Sequence, residues 1–195
     1  AANVASEFQR TQVIPEIDSY RYSTLAKAAN ITKTYTPDKS TVLSALVGQI
    51  SAVREGTGGE GELIIAIARS VYDMMLLSSE VSHSVDNGSF MQGEMEFSVK
   101  TINGAVIIPV PSARMKTEYT FDSENGYSAA ESAKQINWII CPRTAPIAIS
   151  KTDNVKIITP EQNQFADAWD IDYRKYHDLF IPDNKKSAIA VCTAG

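Results

Sequence analysis

The sequence predicts an α+β fold, in which helices and strands follow one another without the regular alternation of a parallel α/β protein. Apolar residues recur at helical spacing in two segments, residues 4–29 and 43–53. Residues 96–110 instead alternate as two strands around a short turn. A chain of 195 residues buries about 70% of the surface that it exposes when unfolded, which suffices for one substantial domain or two small ones that share a core.

The N-terminal segment is predicted to be helical but not straight. Val4 and Phe8 form one apolar stripe, and a second stripe points in a different direction around the helix axis. The second stripe contains Ile14, Ile17, Arg21, Leu25 and Ala28. Pro15 lies where the stripes change, and a proline inside a helix removes a hydrogen bond and clashes with the preceding turn. We therefore expect a kink or break near Val13 and Ile14.

The next segments predict a helix, a buried strand and a loop. Residues 43–53 repeat apolar side chains at spacings of three and four, and Gly56 follows as a stop signal. The short apolar run Leu63–Ala68 is typical of a buried strand. Residues 78–93 are polar and contain glycine, which favours a loop, and residues 119–127 favour a second polar loop.

Residues 96–110 carry the strongest local signal, a β-hairpin. Asn103 and Gly104 lie between two strand-like runs, and this dipeptide favours a two-residue turn in which both residues have positive φ. Residues 136–141 are a further apolar run that Pro142 ends. Because these strands and Leu63–Ala68 are apolar enough to be covered on both faces, we expect the hairpin to share one sheet with them.

The C-terminal third predicts three more strands. Residues 147–158 are strand-like, and residues 169–173 alternate apolar and acidic side chains, as in a half-buried strand that continues to residue 181. A turn at residues 182–184 precedes a last strand over residues 187–192.

Composition excludes several classes of function. The formal net charge is −5, whereas proteins that bind nucleic acid by neutralising phosphates need a basic surface. The longest strongly apolar run, Leu63–Ala68, falls far short of the ~20 residues that a membrane span requires. Cys141 and Cys192 each lie in an apolar stretch and are predicted to be buried, although two cysteines do not exclude a disulfide.

No catalytic, cofactor or metal site is predicted. His83 and His177 have no second candidate ligand at a recognised spacing. The glycine-rich residues 56–61 lack the Lys-Ser/Thr of a phosphate loop and lead into a strand instead of a helix.

Three acidic residues leave an alternative open. Asp167, Asp170 and Asp172 are close in sequence, and the last two share one face of a strand. Such carboxylates serve a hydrolase as acid–base or metal-binding groups. On a strand edge that faces solvent or another subunit, they prevent unwanted pairing.

Four runs of the chain, in this order, resemble the major capsid proteins of tailed bacteriophages and of prophages. They are RTQVIPEIDSYRY at residues 10–22, IPVPSARM at 108–115, INWIICP at 136–142, and ADAWDIDYRKYHDLF at 166–180 with NKK at 184–186. The resemblance extends from about residue 7 to residue 191.

This resemblance implies a fold of two intertwined regions. A peripheral domain with a long spine helix and long strands corresponds to residues 1–34 and 147–181. An axial domain with a central sheet flanked by helices corresponds to residues 35–146 and 182–195. Relatives carry an N-terminal arm and an extended loop before the spine helix. We therefore expect this chain to be truncated, and not to close into full-sized shells alone.

The resemblance also implies a structural function without enzymatic activity. The expected role is a shell-forming subunit that assembles into pentamers and hexamers around packaged DNA, in the virion capsid, after synthesis in the host cytoplasm. The expected partners are copies of the chain itself, with scaffold and portal proteins, and neither a membrane nor a cofactor is expected. An encapsulin-like compartment is the alternative with the same fold. Candidate subunit contacts are Arg10, Glu16, Asp18, Arg21, Arg174 and Lys175.

Overall fold

The N-terminal helix runs without interruption from residue 2 to residue 28 in the computed structural model, which describes residues 2–59, 61–78, 85–92, 95–122 and 126–195. Helix α1, Ala2–Phe8, continues through a π-helical turn, Gln9–Val13, into helix α2, Ile14–Ala28. A break near Val13 and Ile14 is therefore wrong, although the helix does depart from regular α-helical geometry at Gln9–Val13. Ile14, which the second stripe assigned to the core, is 47% exposed.

The π-helical turn explains how the helix accommodates Pro15. The Ile14 N–H donates to the Gln9 carbonyl, five residues back. Pro15 has no N–H to donate, and in an α-helix its ring clashes with the carbonyl four residues back. A wider turn immediately before the proline moves that carbonyl away from the ring. The sequence therefore changes the hydrogen-bond pattern just before Pro15 without ending the helix.

The helix predicted over residues 43–53 and the strand predicted over Leu63–Ala68 are confirmed. Helix α3 spans Val42–Gly56, strand β2 spans Leu63–Ala68, and helix α4 spans Arg69–Leu76. The Val42 N–H bonds to the Asp38 carbonyl at 2.9 Å, which starts the first turn of α3. Along the chain, strand β1, Ile31–Thr34, follows the N-terminal helix and precedes α3.

The predicted hairpin is confirmed and is longer than expected. Strands β4, Met95–Ile102, and β5, Ala105–Val110, flank the turn, where Asn103 and Gly104 have φ of 49° and 72°. Strand β3, Val85–Gln92, pairs antiparallel with β4. The predicted loop over residues 78–93 is thus wrong for residues 85–92, because the neighbouring strand supplies the pairing that this polar segment does not signal.

The remaining elements follow a short 3₁₀ turn at Ser112–Arg114. Strands β6, Tyr119–Asp122, and β7, Gly126–Ala129, form a small hairpin where the sequence predicted a loop. Strand β8, Ile136–Pro142, is the predicted apolar strand. Strands β9, Ile147–Ile158, and β10, Asp170–Phe180, form a long separate hairpin, and α5, Asp183–Lys186, and β11, Ala190–Thr193, end the chain.

One seven-stranded mixed sheet contains most of the strands, in the order β1-β11-β8-β2-β5-β4-β3. Strands β1 and β11 pair in parallel, as do β2 and β5, and the other neighbours are antiparallel. The Asn103–Gly104 hairpin therefore shares a sheet with β2 and β8, as predicted. The α+β class is confirmed.

A buried polar network ties helix α3 to the centre of this sheet. The Trp138 indole Nε1 donates to Gln49 Oε1 at 2.7 Å, and Gln49 Nε2 donates to the Val191 carbonyl at 3.2 Å. Gln49 and Trp138 are 4% and 0% exposed. A buried amide is tolerated here because both of its ends have partners.

Replacing Gln49 by Ala is expected to lower the free energy of unfolding by about 2–4 kcal/mol, because it leaves a cavity and removes the partner of the Trp138 N–H. Urea denaturation followed by circular dichroism measures the change. Ser51→Ala, on the exposed side of the same helix, is the control and should change the value by less than about 0.5 kcal/mol. An unchanged urea midpoint for Gln49→Ala would refute the role of the network.

Candidate assembly surface

The long hairpin of β9 and β10 has two chemically different faces. Its strands pair from Asp170 opposite Ile158 to Phe180 opposite Ile147, with a bulge between Tyr176 and His177. Because side chains alternate along a strand, odd-numbered residues of β10 lie on the face toward the N-terminal helix. Even-numbered residues lie on the other face, from which Asp172 and Asp178 still reach the helix side. The predicted alternation is confirmed from Ile171 onward, where odd-numbered residues are less exposed than their neighbours, but Trp169 lies before the strand and is 59% exposed.

The inner face packs on the N-terminal helix through aromatic and charged groups. The rings of Phe8 and Tyr173 lie 6.3 Å apart, edge to face. Asp178, an even-numbered residue, also reaches the helix: its Oδ1 accepts from the Tyr20 hydroxyl at 2.7 Å. Burial, with a hydrogen bond to Asp153, raises the pKa of Tyr173 to about 12. These contacts fix the hairpin against the helix without a large apolar core.

A groove of about 500 Å³ lies between the N-terminal helix and β10. Its lining includes Glu16 from the helix and Asp172, Lys175 and His177 from the strand. His177 Nδ1 is buried without a hydrogen-bond partner in the described structure, and so is Arg21 Nε. Burial first, then the charges of Arg21 and Lys175, hold the pKa of His177 below its usual value. His177 is therefore neutral at pH 7.

The outer face of the hairpin carries exposed apolar side chains. We call Ile147, Ile149, Tyr176 and Phe180 the hairpin patch, and they are 45%, 51%, 51% and 57% exposed. Phe180 is directly opposite Ile147, and Asp178 is opposite Ile149, so the members are neighbours on one surface. Apolar side chains clustered on a rigid surface are typical of sites that bind another protein. The sequence did not predict this patch, because apolar residues in a strand-like run read as buried.

The loop that joins the two strands is aromatic and acidic. Phe165 is 99% exposed and Trp169 is 59% exposed. Asn163 organises the loop: its Oδ1 accepts from the Phe165 N–H at 3.0 Å, and its Nδ2 donates to the Ala168 carbonyl at 2.9 Å. The two aromatic side chains are thus held outward by a structured turn.

The six charged residues that the sequence proposed as subunit contacts lie on or beside the helix–hairpin unit. Two of them form ion pairs within the chain that hold its shape: Asp18 with Arg114 at 2.9 Å, both about a quarter to a third exposed, and Lys175 with Asp153 at 2.8 Å. The sequence did not predict Arg114 as the partner of Asp18 or Asp153 as the partner of Lys175, because each pair joins distant parts of the chain.

The other four charges are arranged differently. Arg10 forms an exposed ion pair with Glu7 on its own helix, at 2.7 Å. The Arg174 guanidinium lies 4.9 Å from the Tyr176 ring centroid, and its Nη2 donates to the Tyr176 hydroxyl at 2.7 Å. Glu16 is exposed at the groove, whereas Arg21 is only partly exposed.

Residues considered for chemistry are not brought together as a reactive cluster. Asp170 and Asp172 are exposed on one face of β10, as predicted, and Asp167 is exposed in the loop before it. Among the residues that the structure describes, no three His, Cys, Asp or Glu side chains are grouped so as to hold a metal ion. His83 lies outside the described residues.

The two cysteines are buried and unbonded. Cys141 and Cys192 are free thiols in adjacent strands. The prediction that both are buried is confirmed. Burial raises the pKa of Cys141 to about 12, so its reactive thiolate form is suppressed. Within the described ranges, no helix is long and apolar enough to span a membrane.

Comparison with known proteins supports a capsid-like fold. A chain described as the asymmetric unit of the mature capsid of bacteriophage PhiM1 is similar in structure, with a TM-score of 0.56 and 15% sequence identity. The similarity covers 92% of this chain and 60% of that chain, so this chain spans about three fifths of the length of the capsid chain. No protein-family model matches, and no curated protein matches in sequence. The expected resemblance is thereby confirmed at the level of the fold.

Acidification is expected to destabilise the chain through His177. Its folded-state pKa lies below the usual 6.5, so its contribution to stability is complete above pH 6.5 and is lost as the pH falls toward the folded-state pKa. The free energy of unfolding of the His177→Gln variant should therefore fall less than that of the wild type between pH 6.5 and pH 4.5. Urea denaturation at several pH values measures both slopes.

The carboxyl groups provide the internal control for this experiment. The pKa values of Glu7 and Asp153 are both lowered, by hydrogen bonds to Arg10 and Lys175 respectively, from usual values of 4.5 for Glu and 3.8 for Asp. These carboxyl groups take up protons at a lower pH than His177 does. In that lower pH range the wild type and the His177→Gln variant should therefore lose stability equally. Parallel curves across the whole range would show that His177 does not couple to folding.

Proposed function

We propose that this chain is a structural subunit of a bacteriophage capsid, in the role of a major capsid protein. The observation that supports this proposal is the capsid-like fold, because the structural similarity to the capsid chain covers 92% of this chain. The protein acts by forming a shell and not by turnover. Its product is a closed surface made of many copies of one chain.

Shell formation needs surfaces that bind other copies, and the long hairpin offers them. The hairpin patch exposes four large side chains on one surface. Stable protein interfaces bury more than about 1,000 Å² in total, and apolar groups at the centre of an interface supply most of the binding energy. We therefore infer that the patch is covered by neighbouring copies within pentamers and hexamers.

The two-region division is kept as part of this proposal. Residues 1–34 and 147–181 form the peripheral domain, and residues 35–146 and 182–195 form the axial domain. Strand β1 ends the first peripheral segment and pairs with β11, so that pair connects the two regions. The N-terminal helix then supports the hairpin from the inner side, while the seven-stranded sheet faces the capsomer axis.

The predicted contact residues have two roles in this arrangement. Arg10, Glu16 and Arg174 are exposed and contact neighbouring copies directly. Asp18 and Lys175 pair within the chain with Arg114 and Asp153 and hold the contact surface in shape, and the partly exposed Arg21 lies on the helix with Asp18. Exposed charge pairs contribute only about 0–1 kcal/mol each, so their role is to orient copies and not to provide most of the affinity.

The enclosed material and the other partners follow from the same role. The shell encloses packaged DNA without reading its sequence, and the net charge of −5 is consistent with a wall that does not hold phosphates tightly. Scaffold and portal proteins are the further partners. The protein is made in the bacterial host cytoplasm and resides in the virion capsid.

Bacterial expression of the whole gene that encodes this chain is expected to give closed, uniform particles in electron microscopy. Ile149→Asp should lower particle yield by roughly tenfold or more, because it places a carboxylate where an apolar interface forms. Ile149→Val, which keeps the position apolar, is the matched control and should assemble like the wild type. A product that stays monomeric at all concentrations would contradict the proposed function.

A further inference from the structure

The long hairpin separates its charges along its length. From Ile157 to Tyr173 there are four carboxylates and no Lys or Arg; they are Glu161, Asp167, Asp170 and Asp172. The neighbouring segments carry the cations Lys151, Lys156, Arg174 and Lys175. Of these cations, only Lys175 forms an ion pair within the described residues. One end of the hairpin is therefore acidic, and the section beside it is mainly basic, although Asp153 pairs with Lys175 and Asp172 lies opposite Lys156.

The basic section contains a depression that suits an aromatic and acidic partner. Lys151, Thr152, Arg174 and Tyr176, which we call the basic shelf, line an open depression of about 450 Å³. This volume falls within the range of ligand pockets, roughly 300–1,000 Å³. The stacked Arg174–Tyr176 pair forms a flat cationic surface beside the Lys151 ammonium.

The end of the hairpin presents the complementary chemistry. We call Glu161, Phe165, Asp167 and Trp169 the acidic tip. Phe165 is fully exposed, and Asp167 follows two residues later. Because both hydrogen bonds of Asn163 already organise this loop, little conformational freedom is lost when it binds.

The acidic tip does not contact the basic shelf of its own chain among the contacts of the described residues. Arg174 lies four residues beyond the first residue of β10, which corresponds to about 13 Å along an extended strand. Phe165 is 99% exposed, so its ring is free to contact a second molecule.

We propose that the acidic tip of one copy docks on the basic shelf of a neighbouring copy, head to tail. This inference rests on the proposed function and names the partner of the hairpin surface. Phe165 covers the Tyr176 ring, while Asp167 and Glu161 face Arg174 and Lys151. Each copy offers one tip and one shelf, so the contact is heterologous and closes into a ring or extends as a chain. The aromatic contact provides affinity, and the opposite charges set the register.

Charge reversal tests the proposal with two variants of this chain. The tip variant carries Glu161→Lys and Asp167→Lys, and the shelf variant carries Lys151→Glu and Arg174→Glu. Each alone places like charges together, so its self-association should weaken by roughly tenfold or more. An equimolar mixture restores opposite charges at every contact of an alternating chain or an even-membered ring, and should recover at least the association of two copies. Sedimentation velocity at low salt measures all three samples.

Two controls separate charge placement from general effects. Lys39→Glu reverses an exposed cation outside the hairpin and should leave association unchanged. Phe165→Ala should weaken association at both low and high salt, whereas salt should weaken the wild-type contact only in part. Circular dichroism confirms that each variant is folded.

The outcomes distinguish this inference from the proposed function. If the mixture fails to restore association, or if neither reversed variant is weakened, the tip-to-shelf contact is refuted. Introducing the same reversals into the whole gene then decides the function separately. Particles that form normally from both reversed genes keep the capsid role and exclude this contact from it.

Discussion

Strand β8 is buried on both faces, and its main chain bonds to β11 on one side and to β2 on the other. It therefore joins segments from both ends of the chain to the sheet built from the middle. A strand in this position admits polar side chains only with partners. Asn137 donates to the Tyr35 carbonyl at 2.7 Å, and Trp138 bonds to Gln49. The two polar residues thus set the positions of α3 and of the chain after β1.

The long hairpin follows a different rule from the sheet. It is held against the N-terminal helix by specific polar and aromatic contacts, such as Phe8 with Tyr173 and Tyr20 with Asp178. Its outer face keeps Ile149 and Phe180 in solvent. An isolated two-stranded hairpin is marginally stable in water, so the N-terminal helix is what keeps this element in place. One face of the hairpin thus packs within the chain, whereas the apolar side chains of the other face stay exposed.

Strong local patterns made much of the fold predictable, and tertiary pairing made the rest unpredictable. Helix α3, strands β2 and β8, and the Asn103–Gly104 turn each carry a signal within a few residues. Strand β3 carries none, because β4 supplies its pairing. In the candidate site, Asp18 and Lys175 were predicted as subunit contacts, and in the structure both form ion pairs within the chain. Their partners lie 96 and 22 residues away, beyond the range of any local spacing rule.

The π-helical turn at Gln9–Val13 is equivalent to one extra residue within a helix. One residue corresponds to a rotation of about 100° around the helix axis. The π-helical turn therefore decides which way the side chains of α1 point around the axis, relative to those of α2. Phe8 reaches Tyr173 from one side of this insertion, and Asp18 reaches Arg114 from the other. A single-residue deletion there would turn Phe8 away from the hairpin while leaving the Asp18 anchor in place. Evolution can therefore redirect the outer end of this helix by an insertion or deletion of one codon, without rebuilding the core.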